Sequence, residues 1–327
     1  MNGTVTLMST VSTVEVSTKG KWTAKPALKI GGHTIVARGR FIRTAAVHDE
    51  FWQERGLENP AALIAELKVD GPKLLNADLF TFAQRVPNTA PTYEYFMEWD
   101  NVAGIRLDDP KRWWEHALPQ ETRKNVRRSV KRGVEVRVAE FNDELLRGIV
   151  AINNESPMRQ GRPFDHYGKD AEAVRKDYSS FLDRAKFIGA YVQDELVGLA
   201  QLIYMRDTAT ILELLSKSSH YDKRPANALI AKAVEVCAAD GLSFLTYGKY
   251  TYGNKGTDNP LTEFKRRNGF EEIRVPRYYV PLTLSGRIAL ACRLHRGALG
   301  ILPQAAISSL LNLRGMWYRL RLARRPV

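Results

Sequence analysis

One glutamate inside an apolar run is the first feature of the sequence that could do chemistry. Glu213 interrupts TATILELLSK, a pattern typical of a buried strand. Burial disfavours the charged form of a carboxylate, so its pKa rises and it can accept a proton near neutral pH. The sequence therefore predicts Glu213 as a general base. The alternative is a side chain on the exposed face of the strand, or one paired with an arginine.

The run that contains Glu213 leads into a polar, basic turn and then into a helix. The turn SKSSHYDKRPAN precedes ALIAKAVEVCAA, an amphipathic helix that ends before Gly241. The first turn of a helix has unpaired N–H groups and the positive end of the helix dipole, which favour an anion. Lys223 and Arg224 add positive charge there. We expect a phosphate at this turn; the alternative is a turn that only reverses the chain.

A third polar segment, INNESPMRQGRPFDHYGKD, is the least regular part of the second half of the chain. Loops held by a rigid scaffold often determine specificity, and several arginines together suit an acidic ligand. A solvated loop is the alternative. The residues of this loop that could contact a substrate are Glu155, Arg159, Gln160, Arg162, His166 and Tyr167.

Composition is that of a globular protein with a basic tail. Of the 327 residues, 44% are hydrophobic and 26% are charged, enough for one large domain or two typical ones. The formal net charge is +13, and every charged residue after Glu272 is an arginine. An anionic partner such as nucleic acid, a phosphate-bearing cofactor or a membrane surface would suit this tail; solubility is the alternative. Cys237 and Cys292 have no Cys or His at metal-ligand spacing, so we expect reduced thiols, a cytoplasmic protein and no metal site.

Neither end of the chain suggests an integral membrane protein. Residues 1–26 lack the basic start and apolar core of a secretory signal, and we expect them to form a flexible lead. The apolar run IALACRLHRGALGILP is interrupted by Arg293, His295 and Arg296, which makes it costly to bury in a bilayer. The tail, residues 284–327, reads as amphipathic helices. It could lie on the inner membrane surface, dock on RNA or pack on the protein.

The rest of the chain divides into two strand-rich halves joined by a basic helix. Residues 27–110 contain a predicted hairpin with Gly31 and Gly32 at its turn, a helix starting near Pro60, and two aromatic-rich strands. Residues 111–133 contain a helix from Pro119 whose cations either contact phosphates or face solvent. Residues 134–283 give the order β-α-α-β-β-β-α-β-α-β-β, which makes the fold class α+β.

Two segments resemble a known family. They are LPQETRKNVRRSVKRGVEVRV, residues 118–138, and LTEFKRRNGFEEIRVPRYYVPL, residues 261–282. Together with the element order, they resemble the GNAT superfamily of N-acyltransferases, and within it the Fem-like branch of two tandem GNAT-like halves. The resemblance covers about residues 110–283 well and the first half in outline. It implies a tandem GNAT-like fold with a mixed central sheet flanked by helices.

The resemblance also implies a reaction and a cofactor. In this family an amine attacks acyl-coenzyme A directly, and the pyrophosphate of the cofactor binds at the strand-to-helix turn. The polar loop would line the pocket of the amine acceptor, and a residue after the fifth strand would protonate the leaving thiolate. Tyr247, Tyr250 and Tyr252 are candidates for that acid, with aromatic packing as the alternative. The residues that would bind the donor are Lys223, Arg224, Ala226, Asn227 and Ala228.

The turn departs from the family pattern because residues 225–228 stand where glycines would allow a phosphate to approach the backbone closely. Two other functions therefore stay open besides acyl transfer from acyl-coenzyme A to an amine on a small molecule or peptide. A Fem-like transferase would use aminoacyl-tRNA, which the basic helix and tail favour. A noncatalytic GNAT-like binding protein would have lost its donor site, which the glycine-free turn favours.

Overall fold

The computed structural model describes residues 10–18, 21–54, 56–159, 162–252 and 259–297. Strands form where apolar residues alternate or run together, as the sequence predicts. Their bounds are β1 Thr10–Thr18, β2 Lys21–Ile30, β3 His33–Arg38, β4 Thr44–Val47, β5 Leu79–Ala83, β6 Phe96–Arg106, β7 Val134–Ala139, β8 Met158–Arg159, β9 Arg162–Pro163, β10 Ala185–Val192, β11 Glu195–Met205, β12 Thr208–Ser216, β13 Phe244–Thr246 and β14 Glu271–Pro281.

Helices fill the segments between these strands. Several begin at a proline or after a polar capping residue; Asn59, for example, accepts a hydrogen bond from the N–H of Ala62 at 3.3 Å at the start of the first helix. Their bounds are α1 Pro60–Leu74, α2 Pro110–Arg112, α3 Gln120–Lys131, α4 Asp143–Asn153, α5 Ala171–Tyr178, α6 Pro225–Ala239, α7 Pro260–Arg267 and α8 Leu284–Ala291. Among the described helices, none has both the length and the apolar character needed to cross a bilayer.

One mixed sheet of twelve strands runs through the molecule in the order β1-β2-β3-β4-β5-β14-β6-β13-β12-β11-β10-β7. Strand β14, from the end of the second half, lies between β5 and β6 of the first half. Strand β6 in turn pairs with β13 of the second half. The two halves therefore share one sheet and interlock, so the predicted boundaries at 110 and 134 do not separate independent sheets.

The hairpin predicted in the first half is confirmed. Strands β2 and β3 are antiparallel, with Ile30 opposite His33. Gly31 and Gly32 have φ angles of 54° and 81°, a backbone conformation that glycine adopts without steric cost. The paired glycines therefore identified both the turn and the register of these strands.

The flexible lead predicted for residues 1–26 is wrong for its described part. Residues 10–18 form the edge strand β1, which pairs along its length with β2, itself starting at Lys21. Val16 is buried against Ala27 and Val36. The alternation of valine with polar residues in this segment is the pattern of a half-exposed strand. Residues 1–9 lie outside the described residues.

The predicted order of strands and helices in the second half is confirmed with two differences. The short hairpin β8–β9 was not predicted, and the end of the order differs. The last two predicted strands are one continuous strand, β14. Pro276 does not break it, because pairing with β5 begins only at Arg277 and a proline is tolerated where a ladder ends. Of the tail predicted for 284–327, α8 packs on the sheet with Ala289 buried; residues 298–327 lie outside the described range.

Helices cover both faces of the sheet around β11, which is buried along most of its length. Leu229 of α6 and Ala200 belong to the apolar core on one face. Ile149 of α4 and Leu199 belong to the core on the other face. Helix α3, the predicted basic connector, packs on α6. This frame fixes β12, the neighbour of β11, as the platform for the candidate site.

Candidate active site

The candidate site lies where β12 and β13 separate. Their parallel pairing covers only Thr208–Thr210 with Phe244–Thr246, although β12 continues to Ser216. After β13 the chain follows β6 instead, and the N–H of Tyr247 donates to the carbonyl of Ala103 at 2.9 Å. The divergence of two parallel strands leaves an opening in the sheet that side chains from both strands can line.

Glu213 faces a polar cavity of about 330 Å³ beside this opening. An irregularity in the pairing of β11 with β12 places Gln201 opposite Glu213 but Leu202 opposite Ile211. Both halves of the chain line this cavity, which we call the polar cavity. Its titratable or hydrogen-bonding lining residues include Trp22, Arg38, His48, Asp49, His166, Lys169, Asp177, Tyr178, Gln201 and Glu213.

The environment of Glu213 is suited to a base. The side chain is half-buried, and burial, reinforced by the negative charge of Asp177 and opposed by Lys169, raises its pKa to about 7. Within the described part of the chain, no cationic side chain lies within ion-pairing distance of it. The environment thus fits the predicted desolvated carboxylate rather than its exposed or arginine-paired alternative; its role as base remains a prediction.

Asp177 organises the rest of the polar cavity. It accepts a hydrogen bond from the indole N–H of Trp22 at 2.9 Å and another from Lys169. The Nδ1 atom of His166 lies 3.5 Å from it, and burial, with help from Lys169, lowers the pKa of that histidine. A tryptophan of β2 and a second-half loop therefore meet at one carboxylate next to Glu213.

Two buried polar atoms beside Glu213 have no protein partner among the described residues. They are the hydroxyl of Tyr178 and Oε1 of Gln201, both on side chains that are almost fully buried. Burial, reinforced by the charge of Glu213, raises the pKa of Tyr178, which remains a phenol. Unsatisfied buried polar groups are costly, so a bound polar ligand or a water is the expected partner for these two atoms.

A second, largely apolar cavity of about 320 Å³ lies on the other side of the opening. Trp52 and Leu212 line both cavities, so the two cavities adjoin at these side chains. Tyr247 and Tyr252 line this apolar cavity. Burial raises the pKa of both phenols, so they keep their protons at neutral pH. Tyr250, the third predicted acid, is not among the residues that line either cavity.

Lys265 of α7 supports the loop that carries the tyrosines. Its Nζ donates to the carbonyls of Tyr247 and Lys249 at 2.6 Å each and lies 4.6 Å from the ring centroid of Tyr247. The side chain is buried, and burial lowers its pKa to about 8. The sequence assigned Lys265 no role. Its spacing of three residues from Thr262, the other buried residue of α7, places the two on one face of the helix.

The predicted acceptor loop is only partly at the cavity. His166 lines it, whereas Tyr167 is exposed. Arg159 donates to the carbonyls of Ile152 at 2.6 Å and Ser216 at 3.3 Å, so it ties the loop to the end of β12. Gln160 lies outside the described residues, as does the side chain of Arg162.

Glu155, another residue of that loop, occupies the predicted donor turn. Its carboxylate accepts hydrogen bonds from the N–H groups of Ser218 at 2.5 Å and Ser219 at 2.8 Å, and from the Ser219 hydroxyl at 2.6 Å. Burial opposes ionisation, but these bonds from Ser219 and Ser218 together lower the pKa of Glu155. A protein carboxylate therefore holds two amides at the beginning of the segment Ser218–Lys223, which precedes the first turn of α6.

The first turn of α6 offers few further donors. Pro225 has no N–H, and the N–H groups of Asn227 and Ala228 both donate to the carbonyl of Arg224, at 3.2 and 3.4 Å. The side-chain amide of Asn227 donates to Asn268 at 2.8 Å. Lys223 and Arg224 precede this turn, and Ala226 lies in it. Among the residues described as lining the two cavities, none of the five predicted donor-binding residues appears.

The basic helix α3 borders this turn. Arg132 donates to Asp222 at 2.9 Å, which links the end of α3 to the segment before α6. Within the described residues, its other exposed cations have no carboxylate within 4.0 Å, and they form a surface we call the basic face. Its members are Lys124, Arg127, Arg128 and Lys131.

Comparison with known proteins finds solved structures with a similar fold. No family model and no curated protein sequence matches the chain significantly. Among solved structures, FemX is similar over 86% of this chain and 90% of its own, with a TM-score of 0.55 and 11% identity. The C-terminal domain of a putative lysylphosphatidylglycerol synthetase from Agrobacterium fabrum gives 0.52 and 14% over 82% and 85%. The structure of L-PGS from Bacillus licheniformis gives 0.50 and 16% over the same shares.

These similarities extend over both halves and the interlocked sheet, and they confirm the predicted α+β architecture. The chain therefore shares the fold of FemX and of the two other structures.

Proposed function

We propose that this protein transfers an aminoacyl group from an RNA ester to an amine acceptor, with Glu213 as general base. The observation that carries the choice of donor is the carboxylate of Glu155 on the amides of Ser218 and Ser219. Glu155 holds two amides of the segment before α6, and the N–H groups of Asn227 and Ala228 donate to the carbonyl of Arg224, so coenzyme A would find few free backbone donors here. An RNA ester needs no phosphate at that position, because its backbone can lie along the basic face.

The basic face supports an RNA donor. Four exposed cations without carboxylate partners among the described residues attract a phosphodiester backbone. Helix α3 packs on α6 and contacts the segment Ser218–Lys223, so the basic face continues toward Lys223 and Arg224. One structural neighbour is named a synthetase of lysylphosphatidylglycerol, an aminoacylated lipid, which is in line with an aminoacyl group as the transferred unit.

The reaction needs only proton transfer and charge stabilisation. The neutral amine attacks the ester carbonyl carbon, a C–N bond forms, the ester C–O bond breaks, and the carboxylate of Glu213 takes the proton from the attacking nitrogen. The leaving ribose oxygen takes a proton from Tyr247 or Tyr252, which solvent then restores. Protonated Lys265, whose Nζ lies 4.6 and 5.0 Å from the ring centroids of Tyr247 and Tyr252, stabilises the phenolate that forms when either tyrosine gives up its proton. A pKa near 7 lets Glu213 act at neutral pH.

The polar cavity fits the acceptor. Asp49, Asp177 and Glu213 line this cavity together with Arg38 and Lys169, so an incoming amine meets carboxylate acceptors there. The unpartnered atoms of Tyr178 and Gln201 supply hydrogen-bonding positions next to the base. Transfer to a panel of amines and peptides determines whether the acceptor amine lies on a small molecule or on a peptide.

Binding and transfer by the purified full-length chain test this function. Bulk tRNA should raise the melting temperature, and its affinity should fall steeply with salt, whereas coenzyme A and acetyl-coenzyme A should have little effect. Radiolabelled aminoacyl groups on bulk tRNA should move to members of an amine and peptide panel. Glu213→Gln should lower this transfer by about two to four orders of magnitude.

A variant with fewer charges tests whether RNA binds at the basic face or responds only to the net charge of the protein. Lys124→Gln, Arg127→Gln and Lys131→Gln together should reduce the slope of log affinity against log salt by about 2–3. The control replaces three exposed first-half lysines, Lys25, Lys68 and Lys73, by glutamine. Equal losses in both triple variants would refute the basic face as the RNA site. Transfer from acyl-coenzyme A together with no use of aminoacyl-tRNA would refute the proposed donor and restore the coenzyme A prediction.

A further inference from the structure

We infer that the apolar cavity selects the transferred group, and that this group carries a large apolar side chain. The inference rests on the proposed aminoacyl transfer and adds the class of aminoacyl donor. Trp52 and Leu212 separate the apolar cavity from the polar cavity that contains Glu213. An ester carbonyl at this junction is next to the base, and its side chain then points away from the acceptor.

The described walls of the apolar cavity are mainly hydrocarbon and aromatic. Its apolar members come from β6, β11, β12 and β14 and from the first-half turn before α1. They include Phe51, Val102, Met205, Ile211, Leu212 and Val275. A volume of about 320 Å³ equals roughly ten waters at about 30 Å³ each. This space admits a side chain as large as that of phenylalanine, and burial of that apolar surface favours binding.

The two cations that line the cavity already have partners. Nζ of Lys249 lies 2.9 Å from Oδ1 of Asp100. Arg85 donates to the carbonyl of Gln53 at 2.5 Å, and burial lowers its pKa. Neither is therefore poised for an acidic side chain.

A basic side chain would also lack a counter-charge. Among the described lining residues of the apolar cavity, none is Asp or Glu. A lysyl or arginyl group would therefore bury its charge without a partner, which is strongly unfavourable. An aspartyl or glutamyl group is disfavoured as well, because Lys249 is paired with Asp100 and the guanidinium of Arg85 is held by the carbonyl of Gln53. The cavity thus discriminates by charge as well as by size.

Transfer rates for single aminoacyl groups test this selection. Bulk tRNA is charged separately with leucine, phenylalanine, methionine, alanine, lysine or aspartate, and kcat/KM is measured with the full-length chain. The leucyl, phenylalanyl and methionyl donors should exceed the lysyl and aspartyl donors by at least about tenfold, since misplaced charge costs more than a missing methylene. Equal rates for apolar and charged donors would overturn the inference while leaving aminoacyl transfer itself in place.

Two cavity variants and a control locate the selection. Val102→Phe fills the space from β6 and should lower phenylalanyl transfer at least tenfold more than alanyl transfer. Phe51→Ala enlarges it and should shift preference toward tryptophanyl donors, which keeps the test open if the first variant folds poorly. Val138→Phe, on the exposed face of the edge strand β7, is the matched control. Uniform loss for all donors in both cavity variants would contradict selection by this cavity.

Binding of small esters separates the two proposals. Phenylalanine methyl ester and lysine methyl ester are compared by the shift in melting temperature of the wild type and of Val102→Phe. The inference expects the phenylalanine ester to shift the wild type more than the lysine ester, and to lose that advantage in the variant. That pattern without any use of aminoacyl-tRNA would refute the proposed donor and retain an apolar acyl site. No preference between the esters would refute the cavity as a side-chain site.

Discussion

Replacement of Glu213 by glutamine should make the protein more stable above pH 7 while it removes most of the activity. Burial and Asp177 raise the pKa of Glu213 from 4.5 to about 7, so the folded state binds a proton that the unfolded state releases. The contribution of protonated Glu213 to the free energy of unfolding is therefore fully present below pH 4.5 and is lost as the pH rises through 7. Glutamine keeps the shape of the protonated acid and does not ionise.

The magnitude follows from the shift. Each pKa unit corresponds to about 1.4 kcal/mol, so a rise of about 2.5 units lowers the free energy of unfolding of the wild type by about 3 kcal/mol between pH 4 and pH 8. The glutamine variant does not ionise at position 213, so its free energy of unfolding does not fall in this way. The unfolding entropy is about 2.1 cal/mol/K per residue. The melting temperature of the variant minus that of the wild type should therefore be about 4 °C larger at pH 8 than at pH 4.5.

Thermal and denaturant unfolding of wild type and variant between pH 4.5 and 8.5 measure this difference. The control is Glu140→Gln. Glu140 is an exposed carboxylate directly after β7, and its replacement should produce no such trend. In parallel, the acidic limb of the pH–rate profile, centred near pH 7, should disappear in Glu213→Gln. Stability curves for wild type and variant that stay parallel across this range would refute the desolvated carboxylate and, with it, the reason for choosing Glu213 as base.

Three further predictions address neighbouring features. Because burial lowers the pKa of Lys265 to about 8, kcat/KM should fall above pH 8 as this lysine loses its proton, and Lys265→Arg should move that alkaline limb upward. Asn227→Ala removes the 2.8 Å hydrogen bond to Asn268 and should cost about 1 kcal/mol in urea unfolding, with unchanged affinity for tRNA. Gly286→Ala places a Cβ 2.0 Å from the carbonyl oxygen of Asp78, so thermal unfolding should show a loss of about 1–3 kcal/mol.

The parts of the fold that the sequence predicts are those fixed by local interactions. The paired glycines Gly31 and Gly32 define a hairpin, and Asn59 with Pro60 defines the start of α1, because turn and cap geometry depend on a few adjacent residues. The place of β14 between β5 and β6 depends on contacts between residues almost 200 positions apart. No local pattern encodes that neighbour, so strand order came only from the structure and from the family resemblance.

The same distinction applies to the candidate site. Glu213 was identifiable because one charged residue in an apolar strand stands out from its immediate neighbours. Trp22 and Asp49 come from the segments predicted as lead and first half, and they reach the polar cavity through the shared sheet. Glu155 was assigned to substrate, but it holds the amides of Ser218 and Ser219 more than 60 residues along the chain. A side-chain anion that fills a backbone anion site leaves no signature in the turn that it fills.

The interlocked sheet gives a physical reason for placing the reaction between the halves. Strand β12 opens away from β13 in the second half, and that gap alone would expose Glu213 to water and lower its pKa. Trp52, from the first half, lines both cavities at the gap, and its carbonyl accepts a hydrogen bond from Arg184 of the second half. The first half thus supplies the cover that desolvates the base and separates the acceptor side from the acyl side. Loosening of that contact should therefore lower the pKa of Glu213 and weaken discrimination between acyl groups together, since one side chain serves both.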